Sequence, residues 1–247
     1  MKTTQKIGHN ENVTNLFLLA NFIPSYGTNY NPANKALTVE NITLVGNNGK
    51  AANVAVDNAN IAESNARAAR IEEFSDVDPI TRSSLNALKV SGASEQTIEQ
   101  GKSLAREVFG KRASELLSDD QITAAKEGGK DVKQVVVHNA SVGSKINNFR
   151  KYSLFLASVP QYKPNEENIK PAALSKKLSN MELKEDALKQ AETAKAVAIA
   201  NRKQVLYADG TGLVEIGLNT KTYIKSVFGP NSPEYKQISG ITFTKIA

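Results

Sequence analysis

Apolar residues recur at steps of three and four along most of this chain, and the second half shows the pattern most clearly. Val142, Ile146, Phe149, Ser153 and Leu156 share one face of a predicted helix that Pro160 ends. Beyond the loop QYKP, Asn165 is placed to cap a second helix, with Glu166 and Glu167 in its first turn, where carboxylates favour the positive end of the helix dipole. That helix runs to about Tyr207, and Pro171 falls near its start, where a missing amide donor is tolerated. Its inward face passes from Leu174, Leu178, Met181 and Leu188 to Ala187, Ala191, Ala194 and Ala198, a face that lets another helix approach closely. At roughly 1.5 Å per residue, such a helix is a rod of roughly 60 Å, which points to an elongated bundle. The link ADGTG then leads into a third helix carrying Leu213, Ile216, Leu218, Tyr223, Ile224 and Val227.

The first half repeats this order. With an offset of 132, residues 30–74 fall on 162–206 without a gap. Tyr30 and Pro32 meet Tyr162 and Pro164, and Asn48 meets Asn180. Ala55, Ala59, Ala62 and Ala66 meet the four alanines above, and Arg70 meets Arg202. On the flanks, NLFLLANFIPSY (15–26) matches SLFLASVPQY (153–162), and LNALKVSGASEQTIEQ (85–100) matches TYIKSVFGPNSPEYKQ (222–237). The fold expected is all-α: an elongated antiparallel helical bundle of two tandem three-helix repeats with pseudo-two-fold character. The repeats are residues 10–104 and 139–241, joined by a partly helical segment 105–138 and followed by a tail, 242–247.

The alignment also settles local ambiguities. ITLVGNNGKAAN (42–53) looks like a strand, a glycine turn and a phosphate-loop lysine, but it lacks the full phosphate-loop spacing. Its counterpart LSKKLSNMELKE is plainly helical, so a long helix weakened at Gly46 and Gly49 is expected, at about 1 kcal/mol per glycine. KSVFGPNSPEYKQ (225–237) becomes a corner between helices. Gly229 suits a left-handed residue after a helix, Pro230 blocks continuation, Asn231 or Ser232 caps the next turn, and Pro233 takes its first position.

Composition removes several chemistries. The chain has no cysteine, hence no disulfide, thiolate metal site or Cys nucleophile. Its two histidines, His9 and His138, lie far apart and fit polar positions near helix starts better than a catalytic or metal pair. The adjacent acids Glu72 and Glu73, Asp119 and Asp120, and Glu166 and Glu167 diverge by about 100° on a helix and suit solvated faces. No cofactor or metal site is expected. LFLLANFI (16–23) is too short to span a bilayer and follows no basic region, so a cytoplasmic protein without a membrane span is expected.

Charge is uneven along the chain. Residues 1–124 carry 12 Lys+Arg against 14 Asp+Glu, and residues 125–247 carry 19 against 11. Two partners follow from this: an acidic half meeting the basic half of another copy, or a nucleic acid on the basic half. The candidate anion or nucleic-acid contacts are Arg70, Lys145, Arg150, Lys151, Lys176, Lys177, Arg202 and Lys203, and Tyr152 lies in sequence among Lys145, Arg150 and Lys151. Arg70 and Arg202 recur at one repeat position, either as a pair of anion contacts or as stems along a core edge.

RSSLNALKVSGAS (82–94), FGKRAS (109–114) and, above all, residues 201–243 resemble an uncharacterised all-helical protein family associated with Bacteroidota. The resemblance implies a helical fold and that cellular background, and it brings no activity or site residue. The function expected from the sequence is non-enzymatic: a structural, scaffolding or self-assembling protein. Nucleic-acid binding through the basic half and an enzyme with an inter-helix site are the alternatives.

Overall fold

The computed structural model describes residues 8–110 and 141–246. The stretch 111–140, which holds His138, the Asp119 and Asp120 pair and most of the segment 105–138, lies outside the described residues. So does part of FGKRAS. Among the described residues all regular structure is helical. Helix α1 (His9–Phe22) leads through 3-10 turns at Ile23–Asn29 and Lys35–Leu37 into α2 (Val39–Phe74). Helices α3 (Val77–Lys89) and α4 (Glu95–Val108) follow. The second half runs through α5 (Val142–Ser158), a 3-10 turn at Glu167–Ile169, α6 (Pro171–Tyr207), α7 (Leu213–Phe228) and α8 (Pro233–Ser239).

The chain divides into two compact units, and each draws on both halves of the sequence. One unit takes the chain up to Ser64 together with Gln190 onward, and the other takes Asn65–Lys189. In the first, Leu16, Leu19 and Ile23 pack with Ile42 of α2, Leu206 of α6, Leu213, Ile216 and Ile224 of α7, and Ile238 of α8. In the second, Val77 and Leu88 of α3 and Val108 of α4 pack with Phe149, Tyr152 and Leu156 of α5 and Leu174 and Met181 of α6. The ranges 10–104 and 139–241 therefore do not coincide with the compact units, since each core takes elements from both.

Local signals explain where the helices begin and end. Ser94, Ser141 and Ser232 each accept a hydrogen bond from the amide three residues on, capping α4, α5 and α8. Gly92 and Gly229 take positive φ, 79° and 91°, just past α3 and α7, so the two predicted corners are both built this way. One expected start is displaced. Asn165 does not cap the long helix, because Pro171 is its first residue and holds Lys170 in an extended conformation, with φ −59° and ψ 148°.

The faces of the long helices also differ from the expected alanine stripe. On α2 the partly or fully buried row is Val56, Ala59, Glu63, Ala66 and Arg70, and on α6 it is Leu188, Ala191, Lys195, Ala198 and Arg202. These rows are 132 residues apart at every step. Ala55, Ala62, Ala187 and Ala194 are exposed. An identity between aligned residues marks a shared position, and only packing tells which face that position occupies. On α7, Leu218 and Val227 are exposed as well, and the buried face is completed by Val214, Gly217 and Thr220.

Gly46 and Gly49 lie inside α2 as expected, and packing explains them. A Cβ at Gly46 would come within 2.8 Å of the Phe17 ring, and one at Gly49 within 2.6 Å of Leu213 Cδ1. The tail after α8 folds back on its own unit, burying Ile241 and Phe243.

Candidate functional site

The cations singled out in the sequence are distributed over several helices, and most face a carboxylate. Lys177 leaves α6 to meet Glu73 at the end of α2 at 2.7 Å and Asp76 beyond it at 2.6 Å. Burial works against its charge, yet the hydrogen bonds to Asp76 and Glu73 outweigh it and hold the ammonium pKa above the usual lysine value. Arg70 Nη1 donates to Glu185 Oε2 at 3.0 Å, with both side chains largely buried. On α5, Lys145 pairs with Asp78 at 2.8 Å, Arg150 with Glu182 at 2.5 Å, and Lys151 with Glu107 at 3.7 Å. Lys176 and Lys203 are exposed on α6.

Arg70 belongs to the second unit and Arg202 to the first. Arg202 is half-buried and near enough to His9 and Tyr207 to act on both electrostatically. His9, the first residue of α1, shares a 2.6 Å hydrogen bond between Nδ1 and the Tyr207 hydroxyl at the end of α6. Burial first, and the Arg202 charge second, hold the imidazole pKa below its ordinary value. Burial raises that of the Tyr207 hydroxyl. The pairing spans 198 residues and left no local signal in the sequence.

Tyr152, which lies among Lys145, Arg150 and Lys151 in the sequence, faces the core. It is fully buried, with its hydroxyl 3.0 Å from Ser84 Oγ and donating to Thr81 O at 3.3 Å, and burial raises its pKa to about 12. The helical period places it there, because Tyr152 lies about 60° from Phe149 and about 40° from Leu156, on the core face.

The unequal charge of the two sequence halves disappears once they fold together. Among the described residues the first unit holds 9 Lys+Arg against 8 Asp+Glu, or +1, and the second 15 against 12, or +3. Lys195 of the basic half meets Glu63 of the acidic half at 2.7 Å within the first unit, and Lys145 and Lys177 meet Asp78, Glu73 and Asp76 within the second. Some of the charges that distinguish the two sequence halves thus pair within each unit.

Open depressions line both units. One of about 400 Å³ in the second runs beside Arg150, Glu182, Glu185, Asp186 and Lys189, with both signs of charge interspersed. One of about 460 Å³ in the first lies beside Lys203, Gln204, Tyr207 and Asp209. Among the described residues no group of three or more His, Asp or Glu is placed to hold a metal ion, and no helix is long and apolar enough to cross a membrane.

Against known proteins, the chain matches no family model, no curated protein and no solved structure.

Proposed function

We propose that this chain is a non-enzymatic structural or scaffolding protein that associates with copies of itself through apolar faces of its long helices. The observation that carries this reading is the set of apolar residues left in solvent on helix faces opposite the packed rows. In the first unit, Val54 and Ile61 of α2 are 47% and 60% exposed, and Val197 of α6 is 63% exposed. Val54 and Ile61 are seven residues apart and share one face, and the exposed Ala51 lies beside Val54 one turn earlier. Small residues beside larger apolar ones allow another helix to lie close. Sedimentation over a range of protein concentrations tests the reading. Association is expected to rise with concentration, and Ile61→Lys with Val197→Lys should lower it.

We also infer that the two halves are copies of one helical unit whose pieces are interleaved. Tyr30 donates to Leu37 O and Tyr162 to Ile169 O, two bonds displaced by 132 residues at both ends. Glu63 and Lys195, also 132 apart, face each other. Within each unit the segments of α2 and α6 run antiparallel on this reading, which Gly49 near Leu206 and Glu63 with Lys195 support in the first, and Arg70 with Glu185 and Glu73 with Lys177 in the second. The resemblance of residues 201–243 to an uncharacterised Bacteroidota family belongs with it as a statement of background.

Nucleic-acid binding draws less support, since Arg70, Lys145, Arg150, Lys151 and Lys177 already face carboxylates. A salt-sensitive shift in the mobility of DNA or RNA would restore it.

A further inference from the structure

The C-terminal segment sits in the first unit much as a bound peptide sits in a receptor. Ile241 and Phe243 are buried while Thr242 and Thr244 face solvent, the alternation that an extended chain presents. Asn12, fully buried on α1, donates from Nδ2 to Thr244 O at 2.8 Å and accepts at Oδ1 from Thr244 N at 3.0 Å. One turn along, Asn15 Nδ2 donates to Thr242 O at 2.8 Å. Both asparagines therefore recognise main chain, which any sequence offers, and selectivity falls to the side chains between them. The Phe243 ring rests on Gly217 of α7, where a Cβ would stand 2.6 Å from its tip.

An amide side chain buried among apolar residues is costly unless both its ends are matched. Asn12 meets that condition through a residue 232 positions away. Main-chain bonds together with alternate side-chain sockets are the recurring means by which proteins hold extended peptides.

We propose that this seat, formed by Asn12 and Asn15 of α1 and Gly217 of α7, is an exchangeable receptor for an extended peptide with apolar residues two apart. The occupant it fits is the 241–246 segment of a second copy, taking the place of the chain's own. Exchange of an identical segment between two copies of a chain is a low-cost route to association. The proposal stands apart from the apolar-face reading, because the seat uses none of Val54, Ile61 and Val197 and uptake of the free peptide needs no contact through them.

The test uses the full chain with a protease site inserted between Gly240 and Ile241 and cut after folding. The released segment is expected to remain bound through gel filtration. Excess dye-labelled ITFTKIA should displace it, whereas a peptide with alanine at the positions of Ile241 and Phe243 should not. Asn12→Asp, which loses the donor to Thr244 O, and Gly217→Ala, which fills the ring's seat, should each weaken uptake of the labelled peptide tenfold or more. Three outcomes overturn the proposal: a folded cut chain that takes up no labelled peptide, equal uptake by both variants and the parent, or unfolding of the chain on cleavage. The last would make the segment a fixed part of the core.

Discussion

A methyl group at Gly49 would stand 2.6 Å from Leu213 Cδ1, 3.0 Å from Val13 Cγ2 and 3.2 Å from Leu206 Cδ2. Crowding of that kind costs about 1–3 kcal/mol and outweighs the roughly 1 kcal/mol that alanine gains over glycine in a helix. Gly49→Ala should therefore lower the melting temperature, although helix propensity alone predicts the reverse. Gly143→Ala is the control: its Cβ meets nothing within 4 Å, and it should be neutral or stabilising. His9 gives a second expectation at this scale. Its pKa in the folded chain lies below the ordinary 6.5, so the unfolded chain takes up the proton first as pH falls. The contribution of a neutral His9 is complete above about pH 6.5 and is lost as pH falls below it toward the folded value. Denaturation midpoints between pH 7.5 and 5 should fall less steeply in His9→Gln than in the parent. Equal slopes would contradict the assignment.

The helices themselves were largely legible in the sequence, because their signals are local. Ser94 and Ser232 cap helices after Gly92 and Gly229, and the face of α5 follows its apolar spacing. Misplaced features arose where two local rules competed or a distant partner decided. Asn165 offered a cap, but Pro171 set the start of α6. Alanines at helical spacing suggested one inward face, whereas burial selects Ala59, Ala66, Ala191 and Ala198 together with Glu63 and Lys195. If the halves are copies of one unit, equivalent bonds should contribute alike. Tyr30→Phe and Tyr162→Phe each remove a hydroxyl from a main-chain oxygen, at 2.5 and 2.8 Å, and should cost about 1–2 kcal/mol apiece in urea denaturation. Lys177→Met leaves Glu73 and Asp76 without their cation, and because Asp76 is half-exposed the expected loss is about 1–2 kcal/mol.

At the scale of the whole molecule, periodicity tells which face of a helix is buried and says little about its partner. The helical character of the segments could be read along the chain, but the assignment of each core to pieces from both halves could not. The same holds for the candidate site residues: Lys145 and Lys177 were recognisable as cations, while Asp78, Glu73 and Asp76 became their partners only on folding. Asn12 and Thr244, 232 residues apart, gave no sequence signal of their bond. Because both cores are shared, neither residues 8–110 nor residues 141–246 hold a complete one. Each fragment alone should lack a cooperative thermal transition by circular dichroism, and mixing the two should restore it. A fragment that melts cooperatively by itself would contradict the interleaving.

The role proposed for the chain rests on Val54, Ile61 and Val197 meeting another copy. Sedimentation equilibrium across protein concentration, repeated at ~1 M salt where exposed charges are screened within about 3 Å, tests this most directly. An apolar contact predicts a mass that rises above that of one chain with concentration, persists in high salt and falls back in the Ile61→Lys, Val197→Lys variant. The mass of a single chain at every concentration and salt would contradict it.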